Sequence, residues 1–274
     1  MFDGLSKLLG APARLKLLLG TALALSTAIT APSRATEIDF DEDSERDATT
    51  VVHEVDVLFG DQAVDPAVVD VDRDYVFGML MHHKGALSMS NEYLADPRGT
   101  NPVLRRMAQA IIANQRFEIG VLDEVARRIG QPPRTILKLG GVRVVSREVG
   151  VDGLEHRWRY IKSPPPSAVD LWASGHEVTG YDVRFAKAMI VHHRGALDMA
   201  RAYNADPNGQ NNLLRRMNLD IITDQRYEIG FLEGVIARYS GNADAVEIDS
   251  SMVHGMDMTG HGTGHTGRSA HAGY

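Results

Sequence analysis

Residues 77–122 read FGMLMHHKGALSMSNEYLADPRGTNPVLRRMAQAIIANQRFEIGVL, and residues 187–232 read KAMIVHHRGALDMARAYNADPNGQNNLLRRMNLDIITDQRYEIGFL. Sliding the chain on itself by 110 residues aligns Asp72–Ile129 with Asp182–Tyr239 without a gap, and roughly half of the aligned positions are identical. In the first copy Tyr75, Met79, His82, Ala86, Met89 and Tyr93 follow spacings of 4, 3, 4, 3 and 4, which is one stripe of an α-helix. Pro97 and Gly99 then break the helix, because proline cannot continue the hydrogen-bond ladder and glycine accepts turn geometry. Leu104, Ala108, Ile111, Gln115, Glu118, Leu122 and Val125 mark the stripe of a second helix, with two polar residues in the middle of an apolar seam. The second copy repeats both stripes with Phe185, Met189, His192, Ala196, Met199 and Tyr203, then Leu214, Ile221, Gln225, Glu228, Leu232 and Val235. Two hairpins with one apolar stripe each bury them best against one another. The expectation is a mainly α protein, a four-helix bundle with a pseudo-two-fold axis.

Outward from the repeats the chain divides further. Residues 1–35 carry Lys7, Arg14 and Lys16, an apolar run from Leu17 to Ala31, then small residues, the order of an export signal and too short for a comfortable membrane span. Residues 36–70 read as an acidic linker and lead-in, 71–130 and 181–240 as the two hairpins, and 131–180 as an insert with β-branched runs and short strands. The 241–274 tail, rich in Gly, Ser, Thr, His and Met, is expected to be disordered. The 274-residue chain holds 36 acidic against 29 basic residues, a net charge of −7, so it lacks the electrostatic footprint of a nucleic-acid binder. With no Cys, it has no disulfides, no thiolate metal sites and no thiol nucleophile.

The remaining chemistry is histidine, methionine and carboxylate. Met79, His82 and Met89, with Met189, His192 and Met199 in the second copy, put an imidazole between two thioethers along one helix side, while His83 and His193 lie about 100° round it. Such soft donors select Cu(I) or Ag(I) over hard cations. Gln115 with Glu118, and Gln225 with Glu228, are buried polar pairs on the facing helices. Either carboxylate could orient a histidine as an outer-shell partner, or Glu118 could pair with Arg105, Arg106 or Arg116 as a structural network. In the tail, Met252, His254, Met256, Met258, His261 and His265 form a second metal-like cluster.

The His-His-x-x-Ala-x-x-Met helix (His82–Met89, His192–Met199) followed by Gln-x-x-Glu-Ile (Gln115–Ile119, Gln225–Ile229) resembles the DUF305 family. The resemblance covers the two repeats. It implies a ferritin-like helical bundle in a secreted bacterial protein, and its CopM-like members imply copper binding linked to copper resistance. On this reading the protein is a periplasmic or secreted binder rather than an enzyme, holding Cu(I), with Cu(II) and Ag(I) as alternatives. Its partners would be the metal ion and other exported copper-handling proteins, with neither nucleic acid nor a stable membrane span. Two competing readings are a helical interaction module with structural histidines and a ferritin-like di-metal oxidase. The oxidase wants Glu-x-x-His on one helix, which neither repeat has.

Overall fold

The computed structural model describes residues 34–39, 49–153 and 162–255. In chain order these form β1 (Arg34–Asp39), β2 (Thr49–Phe59), α1 (Pro66–Ala95), α2 (Pro102–Arg128), β3 (Arg134–Leu139), β4 (Val142–Gly153), a short α3 (Ala168–Ala173), α4 (Gly180–Ala205) and α5 (Asn212–Ala237). The two duplicated hairpins are α1–α2 and α4–α5, and the mainly helical architecture expected from the repeats is present. The export-like segment 1–33 and the strand-like stretch 155–161 lie outside the described residues, as do Met256, Met258, His261 and His265.

Each hairpin turns the same way for the same reasons. In the first, α1 ends at Ala95 and the Asp96 N–H still bonds to the Glu92 carbonyl at 3.1 Å. Gly99 is required where it stands, since a Cβ there would lie 2.8 Å from the Tyr93 carbonyl oxygen; at Gly209 in the second hairpin the distance to the Tyr203 oxygen would be 2.4 Å. Asn101 and Asn211 cap α2 and α5, each side-chain oxygen accepting the backbone N–H groups two and three residues on. Arg105 and Arg215 reach back to carbonyls at the end of the preceding helix, Leu94 and Asn204 respectively.

The hairpins meet chiefly through α1 and α4, which cross antiparallel. The Tyr93 hydroxyl donates to Asp182 at 2.6 Å and, in the reciprocal position, the Tyr203 hydroxyl donates to Asp72 at 2.6 Å. The rings repeat the exchange, Tyr93 against Phe185 at 4.3 Å and Tyr75 against Tyr203 at 4.4 Å. Residues near the start of one helix therefore contact residues near the end of the other. Two core clusters flank the crossing, one including Met89, Met107, Met189 and Phe185, the other Met79, Met217, Tyr75 and Tyr203.

The structure departs from the sequence reading in the accessory parts. Part of the 36–70 lead-in is strand: β2 pairs antiparallel with β4, giving a sheet in the order β1-β2-β4-β3, and α1 begins at Pro66. The sheet docks on the α5 N-terminus: Glu54 pairs with Arg147 at 2.8 Å, both buried, and its other oxygen accepts the Asn212 N–H at 3.3 Å. Gly150 allows this approach, since a Cβ there would sit 2.2 Å from Leu213. The first part of the tail is also folded. Residues 243–245 and 250–252 form 3-10 turns, and Val246, Ile248, Met252 and Val253 pack on the helical core.

Candidate functional site

The reciprocal crossing of α1 and α4 carries the histidine pairs of the two copies to one place. Because Tyr93 meets Asp182 while Asp72 meets Tyr203, the pseudo-two-fold axis passes through the level of His82–His83 on α1 and His192–His193 on α4. All four rings are buried, with at most 2% of any residue exposed. The His82 and His192 rings meet across the axis in a tilted contact, centroids 3.8 Å apart and planes 41° from parallel. Each sits 6.0–6.3 Å from the second ring of its own pair.

The outer pair is held by carboxylates. His83 Nε2 is 2.9 Å from Glu118 Oε2 and His193 Nε2 is 2.8 Å from Glu228 Oε2. These are close contacts with poor angles, so neither makes a well-directed hydrogen bond. The sequence left Glu118 between a histidine and an arginine; the carboxylate goes to His83 and, at 3.8 Å, to Lys162 of the insert. Lys162, absent from the sequence reading, also reaches Asp224 at 2.9 Å. Burial pulls its ammonium down, but Glu118, Asp224 and Asp220 outweigh that and hold it raised. Gln115 and Gln225 are buried beside the carboxylates, and the side-chain oxygen of each has no hydrogen-bond partner.

His192 donates from Nε2 to the His82 carbonyl at 2.9 Å, which fixes its proton on that nitrogen and leaves a lone pair on Nδ1. That Nδ1 has no partner, nor have Nδ1 of His83 and His193, nor either ring nitrogen of His82. An unpartnered buried polar atom costs about 1–3 kcal/mol, so such a cluster calls for a ligand. Burial first, then His83 and His193, pushes the His82 imidazole down to about 3. Burial and the neighbouring His82 and His193 likewise hold His192 well below its ordinary value. Both rings are neutral at physiological pH, the form that binds metal.

Met79 and Met189 stand one turn before the histidines, each within its own buried cluster. Met199 folds its methyl toward Gly78 of α1, where a Cβ would meet it at 3.1 Å. Met89 lies at the opposite end of the crossing, beside a cavity it shares with Met252 and His254. The eight donors expected as one ligand set are thus brought together in part: the imidazoles converge on the axis, while the outermost thioethers Met89 and Met199 diverge from it. Among the described residues no three His, Asp or Glu side chains form a ready metal-holding group.

A duplicated helical hairpin with a buried His-carboxylate centre on its axis defines the class of protein. The chain belongs to the DUF305 family, described as a domain of unknown function, whose model matches residues 61–134 and 182–272. It is similar to the crystal structure of a DUF305 fragment from Deinococcus radiodurans, with 26% identity over 65% of this chain and 99% of that one and a TM-score of 0.39. No curated protein matches it. Among the described residues no helix is long and apolar enough to cross a membrane.

Proposed function

We propose that this protein is an exported, non-enzymatic binder of Cu(I), or of Ag(I), that sequesters the ion or hands it to other exported copper-handling proteins. The observation that carries the reading is the set of unpartnered ring nitrogens on four buried, axis-centred histidines. The residues fit a soft ion. The His82 and His192 imidazoles are neutral, Glu118 and Glu228 lie against the far nitrogens of His83 and His193 as outer-shell carboxylates do, and Met79 and Met189 supply thioethers one turn away. A hard divalent ion would want several oxygen ligands, and the centre offers two carboxylates already facing histidines. The export signal and the Cys-free composition suit an oxidising compartment, where thioether and imidazole ligands outlast thiolates.

The deciding experiment is an anaerobic Cu(I) titration of the full chain against a competing chelator. The expected result is tight binding that weakens at least tenfold in the His82→Gln, His192→Gln variant while far-UV circular dichroism stays helical. Unchanged affinity and stoichiometry in that folded variant would mean that the ion is held outside His82 and His192 and that the quartet is structural, a reading that the carboxylate contacts of His83 and His193 favour.

A further inference from the structure

The folded start of the tail runs as a strap over α1. A Cβ at Gly85 would lie 2.4 Å from the His254 carbonyl oxygen, and one at Gly255 would lie 2.8 Å from the Met81 carbonyl oxygen. Gly255 has φ +76°, a left-handed conformation that glycine adopts without strain. Two glycines, one on each partner, thus let backbone meet backbone and fix where the strap's side chains fall. His254 lands with Nε2 3.5 Å from Glu92 Oε2, and an open cavity of about 320 Å³ lies between strap, α1 and α4.

We propose that this cavity is a second soft-cation site, separate from the histidine quartet, in which Met89, Met252 and His254 hold Cu(I) or Ag(I) and Glu92 supplies the balancing charge. Two thioethers and one imidazole around one cavity are a donor set that discriminates for soft monovalent ions. The buried rings of Tyr93 and Phe185 wall its inner side. Two cations also line it, and each faces an acid: Arg98 is bound to Asp96 at 2.6 Å, and Arg184 acts on Asp249 of the strap. The two repeats differ here in a telling way. Met199, the copy of Met89, has its methyl packed toward Gly78, whereas the residue corresponding to Gly78 is Ala188, which forms part of the cavity wall. Met89 faces open space and strap donors where Met199 faces a helix. The site is therefore single in a duplicated protein, and it depends on a segment outside the duplication.

Ag(I) is the probe, because it does not change oxidation state. The full chain carries Met256→Leu, Met258→Leu, His261→Gln and His265→Gln to silence the outer tail, and its methionine methyls are labelled with carbon-13. Ag(I) is added to two equivalents, one for each centre, and the equivalent held here is expected to shift the Met89 and Met252 methyl resonances together with the His254 ring nitrogens. Met252→Leu, which keeps the strap's apolar packing, and His254→Gln should each weaken that equivalent at least tenfold. The methyls of Met79 and Met189 report the quartet in the same spectrum, so failure at one centre is distinguished from failure at the other. Static Met89 and Met252 signals, or a Met89 shift indifferent to both variants, would overturn the proposal.

Discussion

The hydroxyl of Tyr203 donates to Asp72 and also accepts the buried Asn211 N–H at 3.1 Å, whereas the hydroxyl of Tyr93 donates to Asp182. Asp182 spends its other oxygen on the N–H and hydroxyl of Thr179, which caps α4. The two tyrosines hold symmetric places with unequal duties, and their removal should cost unequally. Tyr93→Phe is expected to destabilise the fold by about 1–2 kcal/mol, and Tyr203→Phe by about 1 kcal/mol more, because it also strands a backbone donor at the α5 N-terminus. Urea unfolding of the two variants checks the order; equal losses would mean that the Asn211 contact contributes nothing. At this scale the sequence was legible in one direction only. Helical spacing put the tyrosines and His82 and His192 on the inward stripe, but it left His83 and His193 about 100° off that stripe, and the structure buries these two as well. Spacing could not say that the partner of Tyr93 is an aspartate of the other repeat, because the antiparallel crossing is a tertiary fact. Lys162 was invisible for the same reason, a surface-type residue brought to Glu118 by a fold in the insert.

Helices were readable from pattern because their apolar stripes are long and duplicated, and β3 and β4 from the β-branched runs of the insert, but β2 was not because its inner face is partly charged. Val52, Glu54, Asp56 and Leu58 of β2 all point inward, so the alternation places acids where a half-buried strand normally has apolar residues. Glu54 is stabilised by Arg147, far away in sequence. The strap was missed because its composition is that of a disordered tail, while a few residues, Val246, Ile248 and Met252, suffice to anchor it. Its seat on Gly85 gives a test at the level of elements. In a helix, Gly→Ala ordinarily stabilises by about 1 kcal/mol. Gly230→Ala in α5, where a Cβ meets nothing within 4 Å, should show that gain. Gly85→Ala should not, since its Cβ would collide with the His254 carbonyl. It should instead accelerate amide exchange across residues 250–255 and leave exchange in α1 unchanged. Protection of the strap equal to wild type would mean that the strap can shift without loss.

For the whole molecule, the quartet couples folding to acidity. His82 and His192 are neutral in the folded protein far below the pH at which they protonate when unfolded, His82 down to about 3. As pH falls through the unfolded value near 6.5, the unfolded chain takes up protons at these sites and the folded chain does not. The sign is thus destabilising on acidification: the penalty is absent above about pH 7, begins near 6.5, and for His82 grows until its folded value near 3 is reached. Each such histidine contributes a slope of about 1.4 kcal/mol per pH unit across the steep part of that window. Urea unfolding between pH 7.5 and 5 should therefore show stability declining, and the His82→Gln, His192→Gln variant should show a visibly flatter decline. A bound soft ion should act in the same direction as high pH. Because folded His82 and His192 take up no protons in this window, Cu(I) under anaerobic conditions should raise the unfolding midpoint throughout it, below pH 6 as well as above. If the variant and the wild type lose stability in parallel, other groups set the acid response and the quartet is already satisfied by the fold. If Cu(I) raises the midpoint equally in both, the ion is held elsewhere, and the Met89–Met252–His254 cavity is then the place to look.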